Sequence, residues 1–164
     1  MKVAFCIVCG KPLVDGHDST HARKKCSDEA CGHVHYGNPT PVVAAIVEHP
    51  TGILLARNHG WPEGMFGLVT GYLEAGESPE AGVLRELREE LGLEGEVIRL
   101  VGVHAFEPKN ELIVTYHVKA DGPVVLSEEI AAYKAIPEAK LRPWPMGTGL
   151  ALREWLISRG RTDV

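Results

Sequence analysis

The sequence predicts an α/β fold preceded by a small cysteine-bearing segment, and three observations carry that expectation. All four cysteines fall within the first 31 residues, glycine and proline punctuate residues 36–41, and the apolar runs beyond them accompany one strongly capped amphipathic helix. A chain of 164 residues suits one domain with a small appendage. With 45% hydrophobic and 24% charged residues it has the composition of a globular protein, which excludes disordered and collagen-like architectures. The net charge of -5 argues against a surface that tracks a phosphate backbone, so nucleic acid is not the default partner. No apolar run approaches the roughly 18 residues of a membrane span. Met1–Val8 resembles the opening of a signal peptide, but Cys9-Gly10-Lys11-Pro12 interrupts it before an apolar region of the usual length. The segment is therefore read as a folded strand, and a cytoplasmic protein without a membrane partner is expected.

Cys6, Cys9, Cys26 and Cys31 are spaced as two close pairs, each followed by a glycine (Gly10, Gly32) that lets the chain turn sharply. Two such knuckles supply four soft ligands to a tetrahedral Zn2+, and four protein ligands leave no open position, so the metal is structural. Two disulfides are the rival reading, disfavoured because the rest of the chain lacks cysteine and no secretory signal is recognised. His33 or His35 could replace Cys31, since the second pair is wider than the first. Asp15–Ser19 is polar turn material joining two short hairpins.

Tyr36-Gly37-Asn38-Pro39-Thr40-Pro41 reads as a linker, which divides the chain into residues 1–36 and 37–164. Val42–Val47 and Ile53–Arg57 read as apolar strands of a hairpin turned by His49–Gly52. Trp61–Gly67 is a loop whose aromatics either line a pocket or cover the sheet. Ser78, Pro79 and Glu80 announce a helix running to Leu91, with Gly92 as its stop. Val83, Leu84, Leu87 and Leu91 form its buried face. Ala132–Ile136 reads as a strand, and Gly147–Arg159, with Leu150, Leu152, Trp155 and Leu156, as an amphipathic helix packed on the sheet.

Glu86, Glu89 and Glu90 stand at i, i+3 and i+4, so their carboxylates crowd one face of the first helix. Seven glutamates occupy residues 77–96 against only Arg85 and Arg88. Such crowding calls for a cation, and a hard divalent ion with oxygen ligands, such as Mg2+, answers it.

The full segment, Gly71-Tyr72-Leu73-Glu74-Ala75-Gly76-Glu77-Ser78-Pro79-Glu80-Ala81-Gly82-Val83-Leu84-Arg85-Glu86-Leu87-Arg88-Glu89-Glu90-Leu91-Gly92-Leu93, matches every fixed position of G-x5-E-x7-R-E-U-x-E-E-x-G-U, with U apolar. On these residues the chain resembles the Nudix hydrolase family. The resemblance implies an α/β/α sandwich with a mixed sheet, two or three Mg2+ or Mn2+ ions, and hydrolysis of a nucleoside diphosphate linked to another group. It implies that Glu86, Glu89 and Glu90 hold the metal with a carbonyl near Gly71, and that Glu77 and Arg85 brace the loop against the helix. The general base of this family lies outside the box. Glu107, Glu111, Glu128 and Glu129 are its candidates, and Glu129, just before a strand, is preferred.

The cysteine knuckles, Tyr36-Gly37-Asn38-Pro39 and the box together are similar to the zinc-ribbon branch of that family, which includes NADH pyrophosphatases and ADP-ribose/FAD pyrophosphatases. The resemblance makes residues 1–36 a zinc ribbon and residues 37–164 the hydrolase domain, and it implies a possible homodimer. NADH pyrophosphatases carry Ser-Gln-Pro-Trp-Pro soon after the box, where this chain reads Val103-His104-Ala105-Phe106-Glu107-Pro108. ADP-ribose or FAD is therefore favoured over NADH or NAD. Phe66, Tyr72, Phe106 and Trp144 are candidates for stacking on a nucleobase. A non-catalytic module that reads a nucleotide, with the ribbon on nucleic acid, is the alternative; His21-Ala22-Arg23-Lys24-Lys25 is only a weak basic patch.

Overall fold

A computed structural model describes residues 3–164, in two compact units with the division between Asn38 and Pro39. The smaller unit is an antiparallel sheet of β1 (Leu13–His17), β2 (Ala22–Cys26) and β3 (Val34–His35), in that order. Asp15, Gly16 and His17, read as turn residues, belong to β1. The chain reverses instead at Asp18, whose Oδ1 accepts from the amides of Thr20 (2.8 Å) and His21 (2.7 Å). Of the strand expected over Met1–Val8, Met1 and Lys2 lie outside the described residues. Phe5 makes only an isolated bridge to Pro12, and the chain then bends into a knuckle closed by the Gly10 amide on the Cys6 carbonyl at 2.9 Å. Gly10 at φ 73° and Gly32 at φ 64° occupy the left-handed region that these knuckles need.

The larger unit runs β4 (Thr40–His49), β5 (Gly52–Asn58), β6 (Val69–Tyr72), α1 (Pro79–Leu91), β7 (Gly95–Phe106), β8 (Glu111–Ala120), β9 (Ile130–Ile136) and α2 (Thr148–Ser158). Its sheet has the order β7-β8-β4-β5-β9, with β6 also on β4. The β4–β8 pair is parallel and the others are antiparallel, so the sheet is mixed. Thr40 and Pro41, read as linker, already belong to β4.

Alternation along the strands builds two cores. On one face Val43, Ala45, Val47, Leu54 and Val69 pack against Val83, Leu87 and Leu91 of α1. On the other, Ile46, Ile53, Leu55 and Leu68 pack against Leu152, Trp155 and Leu156 of α2. The result is an α/β/α sandwich. Truncating a side chain as buried as Leu87 costs about 2–5 kcal/mol in such cores. Two assignments to these faces change: Leu84 is only half-buried, and Leu150, placed on the buried side of the last helix, is exposed.

Candidate active site

The local chemistry of α1 sets its rotation. Ser78 Oγ accepts from the Ala81 amide at 3.2 Å, Pro79 opens the first turn, and Gly92 at φ 66° ends the helix with its amide on the Arg88 carbonyl. With Val83, Leu87 and Leu91 turned into the core, Glu86, Glu89 and Glu90 fall along its margin. Glu90 is only 6% exposed, while Glu89 remains at the surface. Gly71, paired with Val43 across β6 and β4, lies under Glu86: a Cβ built there would stand 1.8 Å from the Glu86 carboxyl carbon. Only glycine leaves room for that carboxylate.

One guanidinium organises this surface. Arg85 donates from Nε to Glu77 Oε1 (2.9 Å) and from Nη2 to Glu77 Oε2 (3.0 Å). Its Nη1 donates to Glu86 Oε1 (2.6 Å) and Glu89 Oε2 (3.0 Å), and Nη2 also reaches the Tyr72 carbonyl at 3.0 Å. Glu77 further accepts from the Glu74 amide at 3.2 Å. The Arg85 hydrogen bonds hold the Glu77 carboxyl below its ordinary pKa. Glu86 moves the other way because burial outweighs Arg85, with the charges of Glu89 and Glu129 adding to it. Burial, then the charges of Glu86, Glu129 and Glu89, push Glu90 up to about 8.

Main-chain bonds bring in the fourth carboxylate. After β8 the chain returns along the C-terminal end of α1, with the Val125 amide on the Leu91 carbonyl (2.9 Å) and the Ser127 amide on the Glu90 carbonyl (3.1 Å). Glu129 N–H then donates to Ser127 Oγ at 3.3 Å, and the Glu129 carbonyl accepts from the His59 amide at 3.1 Å. Glu129 is thereby near enough to raise both Glu86 and Glu90. Glu111 is elsewhere, buried at the start of β8 with the Tyr72 hydroxyl donating to it at 3.4 Å. Glu107 begins a short 3-10 turn after β7, and Glu128 is exposed, as is Glu129.

The aromatic candidates divide. Tyr72 pairs with Val42 in the sheet, and Phe106 packs against Val42, Ala44 and Ile113 on the α2 face. Phe66 and Trp144 are on that face too, packed against the α2 core. The Tyr72–Glu111 contact went unrecognised in the sequence because 39 residues separate the partners. The place of Glu129 just before the strand read over Ala132–Ile136 was its signal in the sequence, whereas the Ser127–Glu90 tether was not legible.

In the small unit the sulfurs of Cys6, Cys9, Cys26 and Cys31 all lie within 4.8 Å of one another, and no disulfide joins them. The amides of Val8 and Asp28 donate to Cys6 and Cys26 Sγ, each at 3.4 Å. Burial opposes the Cys6 thiolate, but hydrogen bonds from the Cys9 and Val8 amides and from neighbouring thiols bring its pKa down to about 7. At Cys26 the Asp28 amide favours the thiolate, yet burial and the neighbouring thiols push it up to about 12. Four thiolates coexist there only with a cation, and the donor set fits Zn2+.

A family model, the NUDIX domain, matches residues 38–154. The chain belongs to the Nudix family. It is 36% identical over 111 residues to an NAD-capped RNA hydrolase NudC of Mycobacterium bovis, covering 66% of this chain and 36% of the relative. To the protein of that name from Stutzerimonas stutzeri it is 31% identical over 129 residues, covering 76% and 44%. This Nudix chain thus spans less than half the length of these curated relatives. Among solved structures, a NUDIX hydrolase from Nitrosomonas europaea superposes with a TM-score of 0.79 at 23% identity, covering 96% of this chain and 93% of that one. An ADP-ribose pyrophosphatase from Streptococcus suis superposes at 0.61 and 21% identity, covering 77% and 96%. At these identities the two structures speak to the Nudix fold alone.

Proposed function

We propose that the chain is a metal-dependent pyrophosphohydrolase that cleaves a nucleoside diphosphate linked to another moiety, with ADP-ribose or FAD as the favoured substrates. The observation that carries this reading is Glu90, buried among Glu86, Glu89 and Glu129 with Arg85 as the cation of the cluster. These oxygen donors fit Mg2+ or Mn2+. Bound there, such ions neutralise pyrophosphate charge and acidify a water. Glu86, Glu89, Glu90 and the Gly71 carbonyl hold the metal, Glu77 and Arg85 keep the loop fixed against α1, and Glu129 takes the proton from the attacking water. Tyr72, exposed at the end of β6 beside Gly71, offers the base its stacking surface. The four thiols hold a structural Zn2+ that keeps the small unit folded.

A second reading, NAD(H) or an NAD-capped RNA end as substrate, is favoured by the NudC relatives. Among the described residues no helix is long and apolar enough to cross a membrane. The test is a panel of ADP-ribose, FAD, NADH, NAD, diadenosine polyphosphates, nucleoside triphosphates and capped RNA with Mg2+ or Mn2+, with products identified by mass. AMP release from ADP-ribose or FAD supports the first reading, and preference for NADH or capped RNA supports the second. Silence across the panel from metal-loaded protein overturns both in favour of a non-catalytic nucleotide-binding module.

A further inference from the structure

Leu54 and Leu55 are neighbours in β5, yet Leu54 packs in the α1 core and Leu55 in the α2 core. The sheet therefore separates the α1 glutamates from a cavity of about 270 Å³ on its other face, lined by Leu55, Phe66, Trp144, Lys134, Lys140 and Arg142. Lys134, opposite Leu55 in the β5–β9 register, holds Nζ 4.1 Å from the centre of the Phe66 ring. Arg142 pairs with Asp163 at 3.3 Å, whereas Lys134 and Lys140 have no carboxylate partner among the described residues. A chain of net charge -5 thus lines one hollow with two lysines, an arginine neutralised by Asp163 and two aromatic rings, and with no acid in the lining itself.

The aromatic wall is held in place. Trp144 stands between Pro143 and Pro145, whose rings restrict the backbone on both sides. The first turn of α2 presses on it from beneath: a Cβ at Gly149 would stand 1.9 Å from the Trp144 carbonyl oxygen, so the two backbones are in close contact. Aromatic faces stack on any nucleobase, and lysine ammonium groups bind phosphate as point charges. The hollow is open to solvent, and its volume lies just below the range of about 300–1,000 Å³ that encloses a drug-sized ligand, which is the scale of one nucleotide.

We propose that this cavity is a nucleotide site distinct from the carboxylate cluster, binding a nucleoside monophosphate with its base against Trp144 and its phosphate on Lys134 and Lys140. With no carboxylate in its lining, the site needs no divalent cation. The proposal does not depend on turnover, so a silent substrate panel leaves it standing and its failure leaves the hydrolase reading intact.

The experiment is a calorimetric titration of the zinc-loaded chain with AMP, without added Mg2+ and again with it, alongside orthophosphate. Saturable AMP binding is expected in both buffers at similar affinity, weakened about tenfold by Lys134→Ala or Lys140→Ala. Trp144→Phe, which keeps a ring, is expected to retain more affinity than Trp144→Leu. Both lysines lie near the surface, and a melting curve confirms that their variants fold. Absence of AMP binding, affinity unchanged in both lysine variants, a strict need for Mg2+, or orthophosphate binding as tightly as AMP would each overturn the proposal.

Discussion

Arg85 and Glu77 meet through two parallel hydrogen bonds, Nε to Oε1 at 2.9 Å and Nη2 to Oε2 at 3.0 Å, across the turn that precedes α1. Two-point contact fixes orientation as well as distance, and a lysine ammonium cannot reproduce it. Arg85→Lys is expected to lower kcat about 100-fold and reduce the melting temperature by several degrees. Steady-state kinetics and calorimetry check this, and a lysine variant with native turnover refutes the bracing role.

Gly71→Ala tests the space beneath Glu86. The new methyl would overlap the carboxyl group, so the carboxylate must swing away while β6 keeps its pairing with β4. Mn2+ affinity, read by electron paramagnetic resonance, is expected to fall at least about tenfold with circular dichroism unchanged.

Glu128 and Glu129 form an internal control. Glu129→Gln is expected to cut turnover about 100-fold or more, because Glu129 acts electrostatically on Glu86 and Glu90. Glu128→Gln, exposed like Glu129 but not among the charges that raise Glu86 and Glu90, is expected to stay within about twofold of wild type. Equal losses in the two variants would remove the distinction.

His117 gives the fold a pH dependence unrelated to catalysis. It is buried on β8, with Nε2 2.7 Å from Glu48 on β4 and its ring edge-to-face with Trp155 on α2. Burial lowers its pKa, outweighing the opposing pull of Glu48, while Arg159 and Arg99 act in the same direction as burial. A histidine held neutral by the fold adds stability above its unfolded pKa of about 6.5 and loses it as pH falls through the lower folded value. The melting temperature is therefore expected to drop on acidification below about pH 6.5, and His117→Gln to flatten that part of the curve.

Zinc and the small unit are expected to stand or fall together. Metal analysis should return one Zn2+ per chain. Chelation should speed amide exchange within residues 3–38 while residues of α1 and β8 stay protected. A metal-free chain with native exchange rates in the small unit contradicts this.

What was legible in the sequence was local. Ser78, Pro79, the spacing of Val83, Leu87 and Leu91, and Gly92 each act within a turn or two, so both ends of α1 were legible. The Glu77–Arg85 contact spans eight residues and was carried by the Nudix resemblance. β7 was invisible because it is a sheet edge with register shifts at Val97/Arg99 and Leu100/Gly102, which break strict alternation, and it leaves Ile98, Leu100 and Val103 exposed. Phe66 and Phe106 read alike as candidates for stacking on a base. Both face α2, and only the folded sheet sets one beside Leu55 and the other beside Val42.

The loop that carries Glu129 is stitched to α1 by the amides of Val125 and Ser127, acting on carbonyls of Leu91 and Glu90. Such stitches are indifferent to side-chain identity. Residues along the loop can therefore be exchanged, in evolution or by design, without disturbing the register of the helix, and a transplanted loop that keeps these two amides in place would re-aim its acid over an unchanged set of helix carboxylates. The box then behaves as a fixed chassis, and the loop as the interchangeable part that decides which acid faces it.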